Sequence, residues 1–186
     1  KETTHKENNV FIKLNVEKVY YSPRTSTERA RIASLIKKNE SVLVMFSGSA
    51  VFPLVISRNS SPSEVYGIEI NPTAHKYALE NIKKFDNIKL FKGDVKKIMP
   101  KLNKKFDRIL MPLPVGAEKY LSLALEYIKP KGKIHFYYFS HERDLDKAKE
   151  IIKSTCKQSY RINKIVKCGQ FGPGIFRYCF DINLQS

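Results

Sequence analysis

The chain has 186 residues, of which 42% are hydrophobic, and it carries 34 lysines and arginines against 18 aspartates and glutamates. This length and apolar content suit one globular domain with a full core and exclude a disordered chain. The sequence has no apolar run of about 20 residues, the length that a membrane helix needs. Its first nine residues are too polar for a secretory leader. Because the chain does not begin with methionine, we expect that an upstream domain is missing from it.

The formal net charge of +16 predicts a polyanionic partner. We rank nucleic acid ahead of an anionic membrane or charge that serves solubility alone, and we expect phosphate contacts without base specificity. The three cysteines lack metal-ligand spacing, which indicates reduced thiols in an intracellular protein. The four histidines show no ligand spacing either, so no metal site is expected.

Apolar runs that read as strands alternate with helical patterns along most of the chain. In chain order we predict strand 10–14, an extended piece 16–21, helix 25–38, strand 42–46, a helix, strand 65–68, a helix from 72, strand 88–91, helix 95–99, strand 106–111, helix 117–128, a turn at 129–132, strand 133–139, helix 145–155 and strands 162–167 and 176–182. This order predicts an α/β fold with a doubly wound, mainly parallel sheet of seven strands and an antiparallel terminal hairpin. Residues 1–40 would form a short N-terminal extension, and residues 41–186 one compact domain.

The stretch from Ser41 to Ile70 has the pattern of a nucleotide-binding βαβ unit. An apolar strand leads into the small-residue turn Ser47–Ala50, a helix follows, and the second strand ends at Glu69. In such units the terminal acid accepts hydrogen bonds from ribose hydroxyls, and a glycine such as Gly48 lets the backbone approach the ligand. A solvated acid before a helix and an ordinary strand-to-helix turn are the alternatives. Asp94, after the third strand, suits either a ligand contact or a helix N-cap.

Two further segments have the composition of a substrate site. Met111–Pro114 leaves a strand as a rigid, donor-poor loop that can present carbonyls to a base edge, although an ordinary helix-start loop has the same pattern. Arg24, Glu28 and Arg29 surround one helix start, where Thr25 and Glu28 also fit a capping box. Tyr20 can stack on a base or pack in the core.

These segments resemble a known family. Val19–Arg24 followed by Thr27–Arg29 is similar to a signature of the archaeal/eukaryotic-type tRNA (guanine-37 N1) methyltransferases, which include wyosine-pathway relatives. Further similar segments are Met45–Gly48 with Phe52, Glu69–Pro72 with Ala74, Met111–Pro114 and Gly132–Tyr137. The sequence departs from the family at three positions: Val44 stands for an aspartate, Ala50 for a second glycine and Pro112 for an asparagine.

The resemblance implies a Rossmann-like class I methyltransferase domain that uses S-adenosylmethionine and acts in the cytoplasm on position 37 of tRNA. It implies that Glu28 removes the N1 proton of guanosine, with Arg24 assisting and Tyr20 packing near the target. The implied cofactor-binding residues are Phe46, Gly48, Glu69, Ile70, Asp94, Val95 and Met111. The implied substrate-binding residues are Arg29, Pro112, Leu113 and Pro114.

Two alternatives remain open from the sequence. One is a relative that transfers the aminocarboxypropyl group of the same cofactor in wyosine synthesis, because Gly172-Pro173-Gly174 with a following aromatic is similar to those enzymes. The other is a tRNA-binding pseudoenzyme with a degenerate cofactor site, for which Val44 and Pro112 are the motive. Family members usually carry an N-terminal RNA-binding region, which we expect to be the missing upstream part.

Overall fold

A computed structural model describes residues 1–113 and 115–185. It shows a mixed α/β fold with a seven-stranded, mostly parallel sheet that has antiparallel terminal strands, and a separate two-stranded hairpin. The predicted fold class is therefore confirmed. The chain forms two compact units, Lys1–Asn103 and the part from Lys104 onward, and the boundary expected at residue 40 lies inside the first unit and stays a prediction. Within the described ranges, no helix combines the length and the apolar character needed to cross a membrane.

The first unit opens with the hairpin and continues as alternating strands and helices. Its elements are β1 (Glu2–Glu7), β2 (Val10–Asn15), α1 (Ser26–Leu35), β3 (Ser41–Met45), α2 (Val51–Asn59), β4 (Glu64–Glu69), α3 (Pro72–Asn81), β5 (Ile88–Lys92) and α4 (Val95–Leu102). The strands β5, β4 and β3 are neighbours in that order and run parallel. All five residues of β3 are buried, as expected of a parallel strand with both faces covered.

Several local predictions in this unit are wrong. The polar strand β1 has no apolar pattern to reveal it, because it is mostly exposed and forms through pairing with β2. The extended piece predicted at 16–21 is a turn in which Lys18 and Val19 donate to the Asn15 carbonyl. Helix α1 stops at Leu35, before the predicted residue 38, and α4 continues past Pro100 because a proline so near the helix end removes only one backbone donor.

The second unit contains the four remaining strands. Its elements are β6 (Phe106–Met111), a 3-10 turn (Ala117–Tyr120), α5 (Leu121–Tyr127), β7 (Ile128–His141), a second 3-10 turn (Glu142–Asp144), α6 (Leu145–Thr155), β8 (Tyr160–Gly172) and β9 (Ile175–Leu184). The strands lie in the order β6, β7, β9, β8, with β6 and β7 parallel and both later pairs antiparallel. The predicted terminal hairpin is confirmed. The predicted turn at 129–132 lies within β7, where Lys131 has a φ of 59°.

The carboxyl ends of β3, β4 and β5 meet at one edge of the sheet in the first unit. Met45 is paired with Ile68, and Glu69 with Lys92. Beyond the strands, the Ser47 amide donates to the Ile68 carbonyl at 2.8 Å, which holds the turn after β3 against the end of β4. The edge where ligands bind in parallel α/β sheets therefore carries the turn, Glu69 and Asp94 together.

Candidate active site

The turn after β3 has an unusual backbone. Phe46, Gly48 and Ala50 have φ angles of 60°, 57° and 66°, so three of five successive residues are left-handed. Only glycine adopts this conformation without steric cost. A Cβ added to Gly48 would meet no atom within 4 Å, so space is open above the turn. Strained backbone of this kind is typical of ligand-binding turns.

The Glu69 carboxylate is built into this turn. Its Oε2 accepts a hydrogen bond from the Gly48 amide at 2.7 Å, and its Oε1 accepts one from the Asn71 amide at 2.6 Å. A carboxylate offers about four acceptor positions, so about two remain for ribose hydroxyls. Glu69 is thus an oriented acceptor at the turn and not only a solvated acid before α3.

The hydroxyls of the turn add to the fit with a nucleoside ligand. Ser47 and Ser49 are 7% and 0% exposed, and within the described chain their Oγ atoms have no hydrogen-bond partner. Buried hydroxyls are usually paired, so such atoms at a turn suit a bound polar group. Ile70 is 65% exposed beside Glu69, whereas Val44 is fully buried in β3 and brings no acceptor.

Asp94 caps a helix. Its Oδ1 accepts from the Lys96 amide at 2.9 Å at the start of α4, as the N-cap alternative predicts. Its other oxygen is not used by this cap. Val95, which follows it, is 3% exposed and packs in the core. A cofactor contact by these two residues stays a prediction.

Glu28 is buried and ion-paired. It is 4% exposed, and the Arg31 guanidinium donates to both of its carboxylate oxygens, with Nε at 2.7 Å and Nη2 at 2.8 Å. Thr25 occupies the N-cap position of α1 without a side-chain cap hydrogen bond, so the predicted capping box is not formed. Tyr20 is 68% exposed and Arg24 is also exposed, which leaves both side chains open to a partner.

One side chain links this block to the cofactor edge. Asn71 caps α3 through its Oδ1, which accepts from the amides of Thr73 and Ala74. Its Nδ2 donates to the Lys18 carbonyl at 3.2 Å, two residues before Tyr20. Asn71, whose amide donates to Glu69, therefore also holds the backbone just before the Val19–Arg24 segment.

Arg29 does not have the position expected of a substrate contact. It is 4% exposed, its guanidinium donates to both carboxylate oxygens of Glu7, and it also donates to Thr25 and to the Ser22 carbonyl. Burial by itself raises the pKa of Glu7, but hydrogen bonds from Arg29 and Tyr21 and the charge of Arg29 bring that pKa below its usual value. The guanidinium joins the hairpin to α1, and a substrate contact by Arg29 stays a prediction.

In the second unit, the loop after β6 borders a pocket. Met111 is fully buried at the end of β6, the Leu113 amide donates to the Met111 carbonyl, and the Pro112 carbonyl accepts from Arg177 Nη2 at 3.3 Å. Pro114 lies outside the described residues. The pocket has a volume of about 130 Å³ and is lined by Leu113, Val115, Gly116, Glu118, Tyr137, Tyr138 and Phe139.

Sequence reasoning missed the residue that supports this loop. Arg177 on β9 is 6% exposed, and its guanidinium lies 4.4 Å from the centre of the Tyr137 ring. It therefore contacts both the loop and a wall of the pocket. No local signal marks it, because the residues that it contacts are 40 and 65 positions away in the chain.

A second buried polar group lies within the sheet of this unit. His135 Nδ1 is 2.6 Å from Asp181 Oδ1, and His135 Nε2 is 2.7 Å from an Arg108 nitrogen. Cys179 completes a group of three whose ligand atoms lie within 4.8 Å of one another. Because both ring nitrogens are already hydrogen-bonded, the arrangement resembles a structural network, and the expectation of no metal stays a prediction.

The mostly parallel sheet and the turn after β3 define an α/β domain with the fold of the Trm5-type methyltransferases. Residues 3–165 match the family model described as the TRM5/TYW2 methyltransferase domain. The chain belongs to this family, which confirms the resemblance of its sequence motifs.

The chain is similar to proteins with two different named activities. It is 40% identical over 145 residues to tRNA (guanine(37)-N(1))-methyltransferase Trm5b of Pyrococcus abyssi, covering 77% of the chain and 42% of that protein. It is 31% identical over 193 residues to the tRNA(Phe) (4-demethylwyosine(37)-C(7)) aminocarboxypropyltransferase of Methanocaldococcus jannaschii, covering 99% of the chain and 76% of that protein.

Solved structures of a Trm5b protein and of a TYW2 protein both superpose on this chain. The crystal structure of Trm5b from Pyrococcus abyssi superposes with a TM-score of 0.88 at 32% identity, over 100% of this chain and 56% of that one. The structure of M. jannaschii TYW2 in complex with AdoMet superposes with a TM-score of 0.83 at 30% identity, over 98% and 85%. The chain thus spans only about half of the Trm5b proteins that it matches.

Proposed function

We propose that the chain is the catalytic domain of an S-adenosylmethionine-dependent tRNA methyltransferase that acts on guanosine, or on a wyosine intermediate, at position 37. The oriented Glu69 carboxylate at the turn after β3 is the observation that carries the proposal. Membership of the TRM5/TYW2 family supports it. A cytoplasmic location, where tRNA is modified, is part of the proposal.

The residues of the first unit divide the work of binding and chemistry. Glu69 and the turn from Phe46 to Ala50 would bind the ribose and hold the cofactor, which would supply an electrophilic methyl group. Glu28 would accept the N1 proton of the target base, which leaves that nitrogen free to take up the methyl group. Positioning and proton removal are the main sources of rate in such a transfer.

The partner in this proposal is tRNA. A related structure is described as the complex of aTrm5 and tRNALeu, which supports a tRNA substrate, and the net charge of +16 fits a polyanion. The target base has to leave its stack to be methylated. Affinity for the RNA should fall steeply with salt concentration, because each phosphate contact releases counterions.

Aminocarboxypropyl transfer is the second candidate. It is favoured by the coverage of the named aminocarboxypropyltransferase, of which the chain spans 76%, compared with 42% of Trm5b. A tRNA-binding pseudoenzyme is the third, supported by the buried Val44 and the donor-free Pro112.

One experiment separates the three. The chain is incubated with labelled S-adenosylmethionine and either unmodified or wyosine-precursor tRNA, and the nucleosides are then analysed by mass spectrometry. A methylated nucleoside supports the proposal, and an aminocarboxypropyl product supports the second candidate. If calorimetry detects RNA binding but no cofactor binding, both enzyme proposals are wrong.

A further inference from the structure

The tip of the β8–β9 hairpin exposes an aromatic side chain beside the pocket of the second unit. Phe171 is 66% exposed, and its ring centre lies 5.0 Å from that of Phe139, a pocket-lining residue. Among the described residues of this unit, the large exposed hydrophobic side chains are Phe171 and Val115, and Val115 also lines the pocket. Exposed apolar surface is thus concentrated at this one place, which is typical of a binding site.

The hairpin tip is held in position by the end of β7 and by the 3-10 turn that follows it. Gly174 has a φ of 71°, and a Cβ added to it would lie 2.9 Å from His141 Cε1, so the turn packs closely on that ring. Lys167 approaches the Glu142 carboxylate at 3.9 Å and lies 3.3 Å from the centre of the Phe176 ring. The Phe171 ring is therefore presented by an anchored turn, which lowers the entropy lost when a partner binds.

The charge of the hairpin identifies the chemistry of its partner. The segment from Tyr160 to Ile175 contains Arg161, Lys164 and Lys167, all exposed, and no aspartate or glutamate. Proteins that bind single-stranded nucleic acid combine basic side chains along the backbone with aromatic rings on which unstacked bases lie. An apolar protein partner or a second copy of this +16 chain would not explain the one-sided charge.

We propose that the exposed Phe171 ring, packed against the tilted ring of Phe139, is a stacking platform for an unstacked base of the RNA substrate, next to the pocket lined by Leu113 and Tyr137. This inference rests on the proposed function in that the RNA is the anticodon loop, and it adds the residues that hold a loop base. Stacking needs only the face of the base, so the platform tolerates different bases. Lys167, four residues from Phe171 along β8, is the basic side chain nearest to the platform, and Lys164 and Arg161 extend the positive charge along the strand away from it.

The test is equilibrium binding of a labelled anticodon stem–loop with guanosine at position 37, measured by fluorescence anisotropy at fixed salt. For Phe171→Ala we expect affinity to fall about tenfold, within the range measured when stacking aromatics are replaced by alanine. Phe171→Tyr should bind like wild type because it keeps the ring. Phe11→Ala is the matched control, since Phe11 is also exposed, at 63%, on the β1–β2 hairpin.

A set of stem–loops that each lack one loop base identifies the stacked nucleotide. One abasic RNA should lose as much affinity as Phe171→Ala, and combining the two changes should cost no more than either alone. The platform is wrong if Phe171→Ala binds like wild type, if Phe11→Ala loses as much, or if no loop position is coupled to Phe171. A change in sedimentation without a change in RNA affinity would indicate contacts between copies and also overturn it. If wild type binds no stem–loop, the platform is wrong, whereas the proposed function stands or falls separately on the nucleoside analysis.

Discussion

The Gly48 amide donates a hydrogen bond to Glu69 Oε2, with 2.7 Å between the two atoms, although the residues are 21 positions apart. Gly48 lies in the turn after β3, and Glu69 is the last residue of the neighbouring parallel strand β4. The acid proposed to bind the ribose is therefore also the acid that holds the strained turn. Changes at Glu69 should affect both ligand affinity and the turn.

Replacing this acid should weaken cofactor binding. In Glu69→Gln an NH₂ group replaces one of the two carboxylate oxygens, so the side chain can no longer accept from both the Gly48 and the Asn71 amides. The neutral side chain is also a weaker acceptor for ribose hydroxyls. Since hydrogen bonds to a charged group contribute about 1.5–3 kcal/mol, we expect S-adenosylmethionine affinity to fall about ten- to hundredfold. Calorimetry measures this, with Glu80→Gln on α3 as the control. Unchanged affinity in Glu69→Gln would contradict the assigned role.

Replacing Ala50 by the glycine that the family has at this position of the turn should stabilise the chain. Ala50 has a φ of 66°, a conformation that costs an L-residue about 1–2 kcal/mol. Glycine removes this cost but loses about 0.5–1 kcal/mol through the entropy of the unfolded chain. The difference between these two terms predicts that Ala50→Gly raises the free energy of unfolding by about 0–1.5 kcal/mol in urea titrations. Ala78→Gly, which also deletes a buried methyl group but lies inside α3, should lower it, and an equal loss in Ala50→Gly would show that the turn is not strained.

Glu28 should be needed for transfer but not for cofactor binding. Glu28→Gln keeps the side-chain volume and removes the group proposed to accept the N1 proton, so transfer to tRNA should slow by about 10²–10⁴. The rate is measured by nucleoside mass analysis and S-adenosylmethionine binding by calorimetry. Glu64→Gln, which removes another paired acid, is the control. An active Glu28→Gln chain would leave Glu28 only its ion pair with Arg31.

The pair between Glu7 and Arg29 should make stability depend on acid pH. The folded-state pKa of Glu7 is below the ordinary value of 4.5. The pair therefore stabilises the folded state above that value, and this contribution is lost as the pH falls through the folded-state pKa. Urea unfolding between pH 7 and pH 3 should show this loss in wild type and a smaller one in Glu7→Gln.

At pH 7 the same variant should be less stable by about 3–5 kcal/mol, because Arg29 keeps a buried charge without its partner. Asp146→Asn removes an exposed acid that pairs with Lys149, and it should change stability by less than about 0.5 kcal/mol. A pH profile of Glu7→Gln that matches wild type would show that another acid causes the dependence.

Much of the fold follows from local patterns. The apolar runs of β3 and β6 and the helical spacing of α6 predict the bounds of those elements within one residue. This works because the pattern of apolar and polar residues along a short segment reflects which side chains are buried. The polar strand β1 could not be predicted in this way, since its partner β2 and not its own pattern makes it a strand.

The residues of the candidate site also fall into those that local sequence patterns predict and those that depend on long-range contacts. The sequence by itself determined the α/β class, the turn around Gly48, the acid Glu69 and the family, because these depend on residue types at short spacing. Only the tertiary structure decided that Glu69 accepts a hydrogen bond from the Gly48 amide, that Arg29 is ion-paired with Glu7, and that Phe171 lies beside the pocket. Each of these depends on contacts between residues far apart in the chain, whose partners are chosen by packing and charge and not by local pattern.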